Sequence, residues 1–337
     1  MWHPERCDLC GECLEACQYV DYNSEKAVAE MKALMEGKET DILKDCVTCM
    51  ACNEYCANVK GNAANPFDRI AELHEKTGIQ HVPPAVVNFL NGSVIRSELV
   101  TGEPDKPVMS ICVQEAMLPV RALESQMFDG LTIAKGGKYF CFFAQLHVGK
   151  ESITRANMPT FVNAVASLGA KEVIFLHDEC HVAATKIAPD YGIEVPFKSI
   201  HIVEYMLNYL KKHRNNITKI NKKIACHRNC SSRYISAEIE PMLDELFELI
   251  GVERVVRKYD SDKGLCCTFA FAPIMPEKAE EVREMNVIDA EEHGAEAMVF
   301  LCPWCWRILA GECEEHGLSP IFITDLCRMA LGEKKLF

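Results

Sequence analysis

The sequence predicts an α/β protein: a duplicated half with mostly parallel strands, preceded by a short helical segment dense in cysteine. Three observations carry this. From about residue 138, strand-like runs alternate with helix-like runs, the pattern of a mostly parallel sheet covered by helices. One passage of that half recurs with an offset of 125 residues. The first 56 residues hold two compact cysteine runs separated by one stretch of helical periodicity.

The cysteine runs come first in the chain. "CDLCGECLEAC" supplies Cys7, Cys10, Cys13 and Cys17, and "CVTCMACNEYC" supplies Cys46, Cys49, Cys52 and Cys56. Both read C-x2-C-x2-C-x3-C. Three cysteines at this spacing wrap one face of a cubane, and the fourth crosses to the other cluster. The spacing therefore assigns Cys7, Cys10, Cys13 and Cys56 to one [4Fe–4S] cluster, and Cys46, Cys49, Cys52 and Cys17 to a second, as in a two-cluster ferredoxin. Gln18 and Ala57 stand where that run usually continues with proline. Zinc is the competing ligand, but zinc cysteines usually come in separated pairs. Between the runs, "SEKAVAEMKALMEG" has helical spacing of apolar residues and ends on Gly37.

In the second part of the chain, "KEVIFL" (171–176), "KKIAC" (222–226), "VERVV" (252–256) and "AMVFL" (297–301) read as buried strands. "ITRANMPTFVNAVASL", "EIEPMLDELFELI" and "PEKAEEVREMNVIDAEEHG" read as amphipathic helices. The repeat sets "GAKEVIFLHDECHVAATKIAPDYGIE" from Gly169 against "GAEAMVFLCPWCWRILAGECEEHGLS" from Gly294, which places His177 on Cys302, Cys180 on Cys305 and Gly192 on Gly317. A second pairing sets "KYFCFFAQ" (138–145) against "KIACHRNC" (223–230), with Cys141 opposite Cys226 and Gln145 opposite Cys230. The later copy has Cys230, the adjacent pair Cys266–Cys267, Cys302 and Cys305, each after a strand or a glycine turn. The earlier copy lacks the adjacent pair. Strand carboxyl ends in parallel α/β folds converge on one crevice, so distant cysteines can meet there. Neighbouring cysteines make a strained disulfide, and a group that binds both thiolates explains them better.

Composition narrows the classes of function. The chain has 337 residues, 19 cysteines and a formal net charge of −13, which argues against nucleic acid and anionic membranes as direct partners. "MWHPERCDLC" has no basic region followed by an apolar run, and no stretch is long enough to span a bilayer, so no membrane insertion is expected. The expected location is cytoplasmic, free or peripheral to a membrane complex. Thiols stay reduced there, which favours metal or cluster ligation over a disulfide framework.

The five-cysteine pattern, C-x35-CC-x34-C-x2-C, resembles the cysteine-rich CCG domain of heterodisulfide reductases, including their B/C and D subunits, and its relatives in sulfate reducers and 2-hydroxyacid oxidation systems. Proteins of this family often carry two copies after a two-cluster ferredoxin domain. The resemblance implies that Cys230, Cys266, Cys267, Cys302 and Cys305 bind a noncubane [4Fe–4S] cluster, with the vicinal thiolates on different irons. The methanogen enzyme uses two such clusters, and this sequence can build one.

The resulting organisation is a ferredoxin-type domain at 1–75, a connecting segment at 76–137 with short helices and turns, a degenerate first copy at 138–215 and a complete copy at 216–337. The resemblance implies an iron–sulfur oxidoreductase subunit. Electrons would pass through two cubanes to the noncubane cluster, where a disulfide or related sulfur substrate is reduced. The alternative is a non-catalytic relay or docking subunit of a 2-hydroxyacid dehydrogenase or electron-bifurcating assembly. No G-x-G-x-x-G fingerprint is present, so electrons are expected from a partner such as a flavoprotein, hydrogenase or membrane cytochrome. His227, near Cys230, could donate to a cluster sulfur, protonate a substrate thiolate or be structural. Cys112, Cys141, Cys180, Cys226, Cys313 and Cys327 are expected mostly in core packing. Trp304 and Trp306 flank Cys305 and could shield a cluster.

Overall fold

The computed structural model describes residues 1–61, 63–80 and 82–337, the side chains of 58–60 excepted. The N-terminal segment is helical: α1 (Glu12–Glu15), α2 (Ser24–Glu36), α3 (Ile42–Asp45), α4 (Ala51–Lys60), α5 (Pro66–Thr77) and α6 (Pro84–Phe89). Helix α2 occupies the stretch expected from its periodicity. The Asn23 side chain accepts from the Lys26 N–H at its start, and Gly37 closes it in the left-handed conformation. Its buried Glu30 accepts from the Ile42 N–H at 3.0 Å, which fixes α3 and hence the start of the second cysteine run.

Two sheets follow. The first, in the order β1-β3-β2-β4-β5, is built from β1 (Glu98–Val100), β2 (Val108–Cys112), β3 (Thr132–Lys135), β4 (Glu172–Phe175) and β5 (Lys198–His201). The second, β7-β6-β8-β9, is built from β6 (Lys222–His227), β7 (Val252–Arg254), β8 (Ala297–Phe300) and β9 (Ser319–Phe322). Every pairing is parallel except that of β1 with β3. The central strands β2 and β8 are buried at every position, as parallel strands covered on both faces must be. Covering helices are α7 (Glu151–Ala166), α8 (Asp178–Val182), α9 (Ala188–Asp190), α10 (Ile202–Lys212), α11 (Ser236–Ile250), α12 (Pro276–Glu292), α13 (Pro303–Glu315) and α14 (Ile323–Ala330). Helices α8 and α9 are joined by a π-helical turn at Ala183–Ile187.

Without β1, both sheets have the same parallel order, and the 125-residue offset maps β4 onto β8 residue for residue. Gly192 and Gly317 share a left-handed φ of 74° and 72° where the chain leaves the following helices. The other pairing proposed from sequence is not the one in the fold. Residues 137–148 form 3-10 turns around a left-handed Phe142. The counterpart of β6, the strand beside β8, is β2, the strand beside β4. It lies inside the stretch read as a connecting segment, which contributes β1, β2 and β3. "KYFCFFAQ" looks strand-like because Phe140, Phe142 and Phe143 are buried, but an apolar run reports burial and not conformation.

The N-terminal segment is fastened to the second sheet by buried charge. Glu54, on α4, accepts from Arg228 Nη2 at 2.8 Å and from Arg233 Nη1 at 2.6 Å, with all three side chains buried. Tyr234 adds a hydrogen bond to Asp68 at 3.0 Å, and Gln18 donates to the Lys263 carbonyl at 2.7 Å. Removing one member of a buried ion cluster leaves the others uncompensated. Glu54→Gln is therefore expected to lower stability by about 3 kcal/mol, read from the urea midpoint of anaerobic protein.

A second expectation concerns pH. Burial holds the His74 imidazole down from 6.5 to about 4 while its Nε2 donates to the Leu43 carbonyl at 2.8 Å. The unfolded chain therefore takes a proton at this position before the folded one. Stability from this group is level above pH 6.5, falls between 6.5 and about 4, and is level again below. His74→Gln keeps a donor and cannot titrate, so urea midpoints across that range should fall less steeply than in the unaltered chain.

Candidate functional site

The two N-terminal cysteine runs curl in the same way. Leu9 and Gly11 in the first, and Thr48 and Met50 in the second, occupy equivalent places between cysteines, and all four have positive φ. Left-handed residues outside glycine cost about 1 kcal/mol each, so the repeated curl marks a backbone held to a purpose. Cys7, Cys10, Cys13 and Cys56 line one small hollow. Cys13 is pushed up chiefly by burial and then by the charges of Cys56, Cys10 and Cys7. Cys46 is pushed up by burial, then by Cys49 and Cys17, and Cys52 likewise by burial and the surrounding cysteines. The fourth cysteine of each run thus neighbours the first three of the other.

Cys230, Cys266, Cys267, Cys302 and Cys305 all line a single cavity of about 180 Å³ between the two sheets. Local structure explains the convergence. Cys230 follows β6, and Cys302 is the residue before α13, whose first turn carries Cys305. The adjacent pair lies on a loop that turns at Thr268, whose φ is 73° and whose N–H points to Cys266 Sγ at 3.2 Å. Tyr19 Oη accepts from the Cys266 N–H at 2.8 Å, so the N-terminal segment helps place the pair. Cys49 packs into the same apolar cluster as Cys266, which sets the Cys17, Cys46, Cys49 and Cys52 group beside the five-cysteine cavity.

His177 Nε2 lies 3.3 Å from Cys302 Sγ. These are the residues that the sequence repeat equates, and each precedes its helix with nearly the same dihedrals, −109° and 129° against −102° and 126°. Equivalent positions of the two halves therefore touch. Burial would lower His177, but Glu179 and then Cys302 outweigh it and raise the imidazole to about 10. Burial pushes Cys302 up, yet Cys305 and His177 prevail and bring it to about 5. Gln114 lies 3.3 Å from His177 Nδ1 with its own Oε1 buried and unpartnered among the described residues. Turning that amide over lets Oε1 accept from the protonated ring.

His147 completes this side. Its Nδ1 donates to the Thr48 carbonyl at 2.9 Å, which leaves Nε2 as an acceptor 3.4 Å from Cys230 Sγ. Glu179 Oε1 lies 3.8 Å from His147 Nε2, and burial raises its carboxyl to about 7.

The donor set fits an iron–sulfur group. Five sulfurs are gathered in one cavity with imidazoles as their polar company. Thiolates of this number need cationic charge to be buried together. His227 Nδ1 accepts from Asn286 at 3.1 Å, and its Nε2 is buried without a partner among the described residues, with Cys267 and Cys305 grouped around the ring within 4.8 Å. An N–H left facing sulfur is what a cluster ligand or bridging sulfide would accept.

No protein-family model matches the chain. Curated relatives do. The chain is 24% identical to the D subunit of the dihydromethanophenazine:CoB–CoM heterodisulfide reductase of Methanosarcina barkeri, over 97% of its own length and 77% of the relative's. It is 21% identical to the protein of that name from Methanosarcina acetivorans, over 90% and 71%. The chain is heterodisulfide reductase-like. Among solved structures, a hypothetical protein from Helicobacter pylori shares the fold with a TM-score of 0.56 and 12% identity, covering 80% of this chain and 59% of that one.

Three features of this heterodisulfide reductase-like chain were not legible as site residues. His147 and Glu179 line the cavity, whereas His227 is not among its lining residues and sits behind Cys267 and Cys305. The third is a buried trio, Cys112, Cys141 and Cys180, whose sulfurs lie within 4.8 Å of one another. It collects at the carboxyl end of the first sheet, as the five cysteines do at the second. The one sequence signal was "HDEC", where Glu179 stands between the repeat-matched His177 and Cys180. Among the described residues, no helix is long and apolar enough to cross a membrane.

If His177 and Glu179 shape the cavity as described, His177→Ala should lower the affinity of the reduced, metal-free chain for iron at the five-cysteine site by about tenfold, a usual weight for an outer partner of a ligand. Anaerobic iron titration checks this.

Proposed function

We propose that the chain is an iron–sulfur oxidoreductase subunit that carries electrons from its N-terminal cysteine sites to the five-cysteine site and there reduces a disulfide or related sulfur substrate. The observation that carries this reading is the convergence of Cys230, Cys266, Cys267, Cys302 and Cys305 on one cavity, with Cys49 packed in the same apolar cluster as Cys266. In this reading, Cys7, Cys10, Cys13 and Cys56 hold one cubane, Cys46, Cys49, Cys52 and Cys17 a second, and the five cysteines a noncubane [4Fe–4S] cluster. Such groups supply one-electron transfer and, at the third site, the reducing power for a sulfur–sulfur bond. In this reading a ferredoxin-type domain at 1–75 is followed by a first copy that reaches back to include β2 and β3, in place of the 138–215 expected from sequence, and by a second copy at 216–337.

The chain's own residues supply the rest. The apolar walls exclude water. His147 and Glu179 line the cavity, and Glu179, raised to about 7 by burial, can hold a proton for a departing sulfur. His227 steadies the ligand sulfurs from behind. Electrons come from a partner subunit, in keeping with relatives that are named as subunits.

A second reading, an electron relay without chemistry of its own, is favoured by one observation: the five-cysteine set occurs in only one of the two halves, and the other presents His177 in its place. A thiol-induced change in the electron paramagnetic resonance spectrum supports reduction, and a spectrum indifferent to every thiol and disulfide supports the relay.

Anaerobically purified protein should contain about 12 iron atoms per chain with matching acid-labile sulfide. Cys266→Ala should leave about 8, with both cubane spectra intact. Loss of the cubane signals in that variant overturns the separation of sites, and zinc without sulfide overturns the reading as a whole.

A further inference from the structure

The cavity walls bear on what enters. The residues that line it include no lysine or arginine. Its polar side chains, apart from the cysteines, are Gln114, His147 and Glu179. The adjacent His177 is already engaged by Cys302 at 3.3 Å and by Glu179 at 3.7 Å. Lys135, in register with Cys112 at the end of β2, is held by Glu115 at 2.6 Å and Glu98 at 3.3 Å. An anionic substrate would meet no lysine or arginine among the described residues that line the cavity, and would approach a protein of net charge −13.

The mouth is apolar and exposed. Phe89 is 67% exposed and Ile95 46%, yet both line the cavity. Trp304 stands between Phe89, at 6.0 Å between ring centroids, and Phe269, at 4.3 Å. A second hollow of about 220 Å³ shares Phe89, Leu90, Phe269 and Ala270 with the cavity and adds Ala85, Val86 and Pro273, all apolar. Aromatic and aliphatic side chains left in water around a pocket mark a surface that an apolar ligand covers.

We infer that the site selects a neutral disulfide, or its thiol, with an extended apolar arm that lies along Phe89, Trp304 and Phe269 while the sulfur reaches the five cysteines. This deepens the disulfide reading above and rests on it. Reduction takes two electrons from a one-electron donor and two protons into one substrate, breaks the S–S bond and releases two thiols. A carboxylate, sulfonate or phosphate on the arm would be buried unpaired.

The test uses anaerobic, iron-replete full-length protein. Isothermal titration compares hexanethiol with mercaptohexanoate and with aminohexanethiol. Turnover is followed with the corresponding symmetrical disulfides and a reduced viologen dye. The neutral thiol should bind at least about tenfold more tightly than either charged one, the weight expected for a charge left unpaired at an apolar wall. Ile95→Lys and, as a second variant on exposed backbone, Ala116→Lys should each raise the affinity for mercaptohexanoate by about tenfold. If mercaptohexanoate or aminohexanethiol binds as well as hexanethiol while disulfides are still reduced, charge selection is wrong and the disulfide reading stands. If both lysine variants fold and change nothing, the arm does not lie at this mouth. If no thiol binds and no disulfide of any charge is reduced, the disulfide reading fails and the selection with it.

Discussion

Sulfur atoms gathered out of water need positive charge nearby, and much of this molecule is arranged around that requirement. Burial first, and then the charges of neighbouring cysteines, makes Cys13, Cys46 and Cys52 harder to ionise. Protein cations meet part of the need. After Cys305, His177 brings Cys302 down, and Arg233, bound to Glu54, lies close enough to lower Cys49 against the effect of burial. They are too few for thirteen thiols in three groups, and the remainder is what iron would supply.

The same requirement accounts for how the segments are joined. Glu54, Arg228 and Arg233 form a buried charge cluster between the N-terminal helices and the second sheet. Such a cluster is costly to desolvate and contributes little net stability, but it fixes one arrangement, because a shifted interface would bury the charges unpaired. Tyr19 on Cys266 and Thr48 on His147 are placed by that arrangement. The N-terminal segment is thereby part of the wall of the five-cysteine site.

The two halves divide the work at that wall. The second contributes the five sulfurs. The first contributes His147 and Glu179, with His177 behind them on Cys302, and keeps three cysteines of its own at the carboxyl end of its sheet. Contact between His177 and Cys302, equivalents in the repeat, shows that the halves face each other across their strand ends. The first half thus has a place at the site, with the His177 imidazole where its counterpart has the Cys302 thiol and Glu179 where its counterpart has Trp304.

Periodicity and the repeat were enough for the α/β class, for β4, β6, β7 and β8, and for α2, α7, α11 and α12, because these depend on short periods and on a register that the repeat preserves. Tertiary structure decided what depends on distant parts of the chain meeting. It made β2 the partner of β4 and turned the strand-like "KYFCFFAQ" into irregular backbone, since burial can be satisfied in either form. It brought Cys112, Cys141 and Cys180 together and carried His147 and Glu179 across to the other half's sulfurs. A lone histidine or glutamate carries no local period. Its role comes from the sulfur it faces, and only the folded chain settles which one that is.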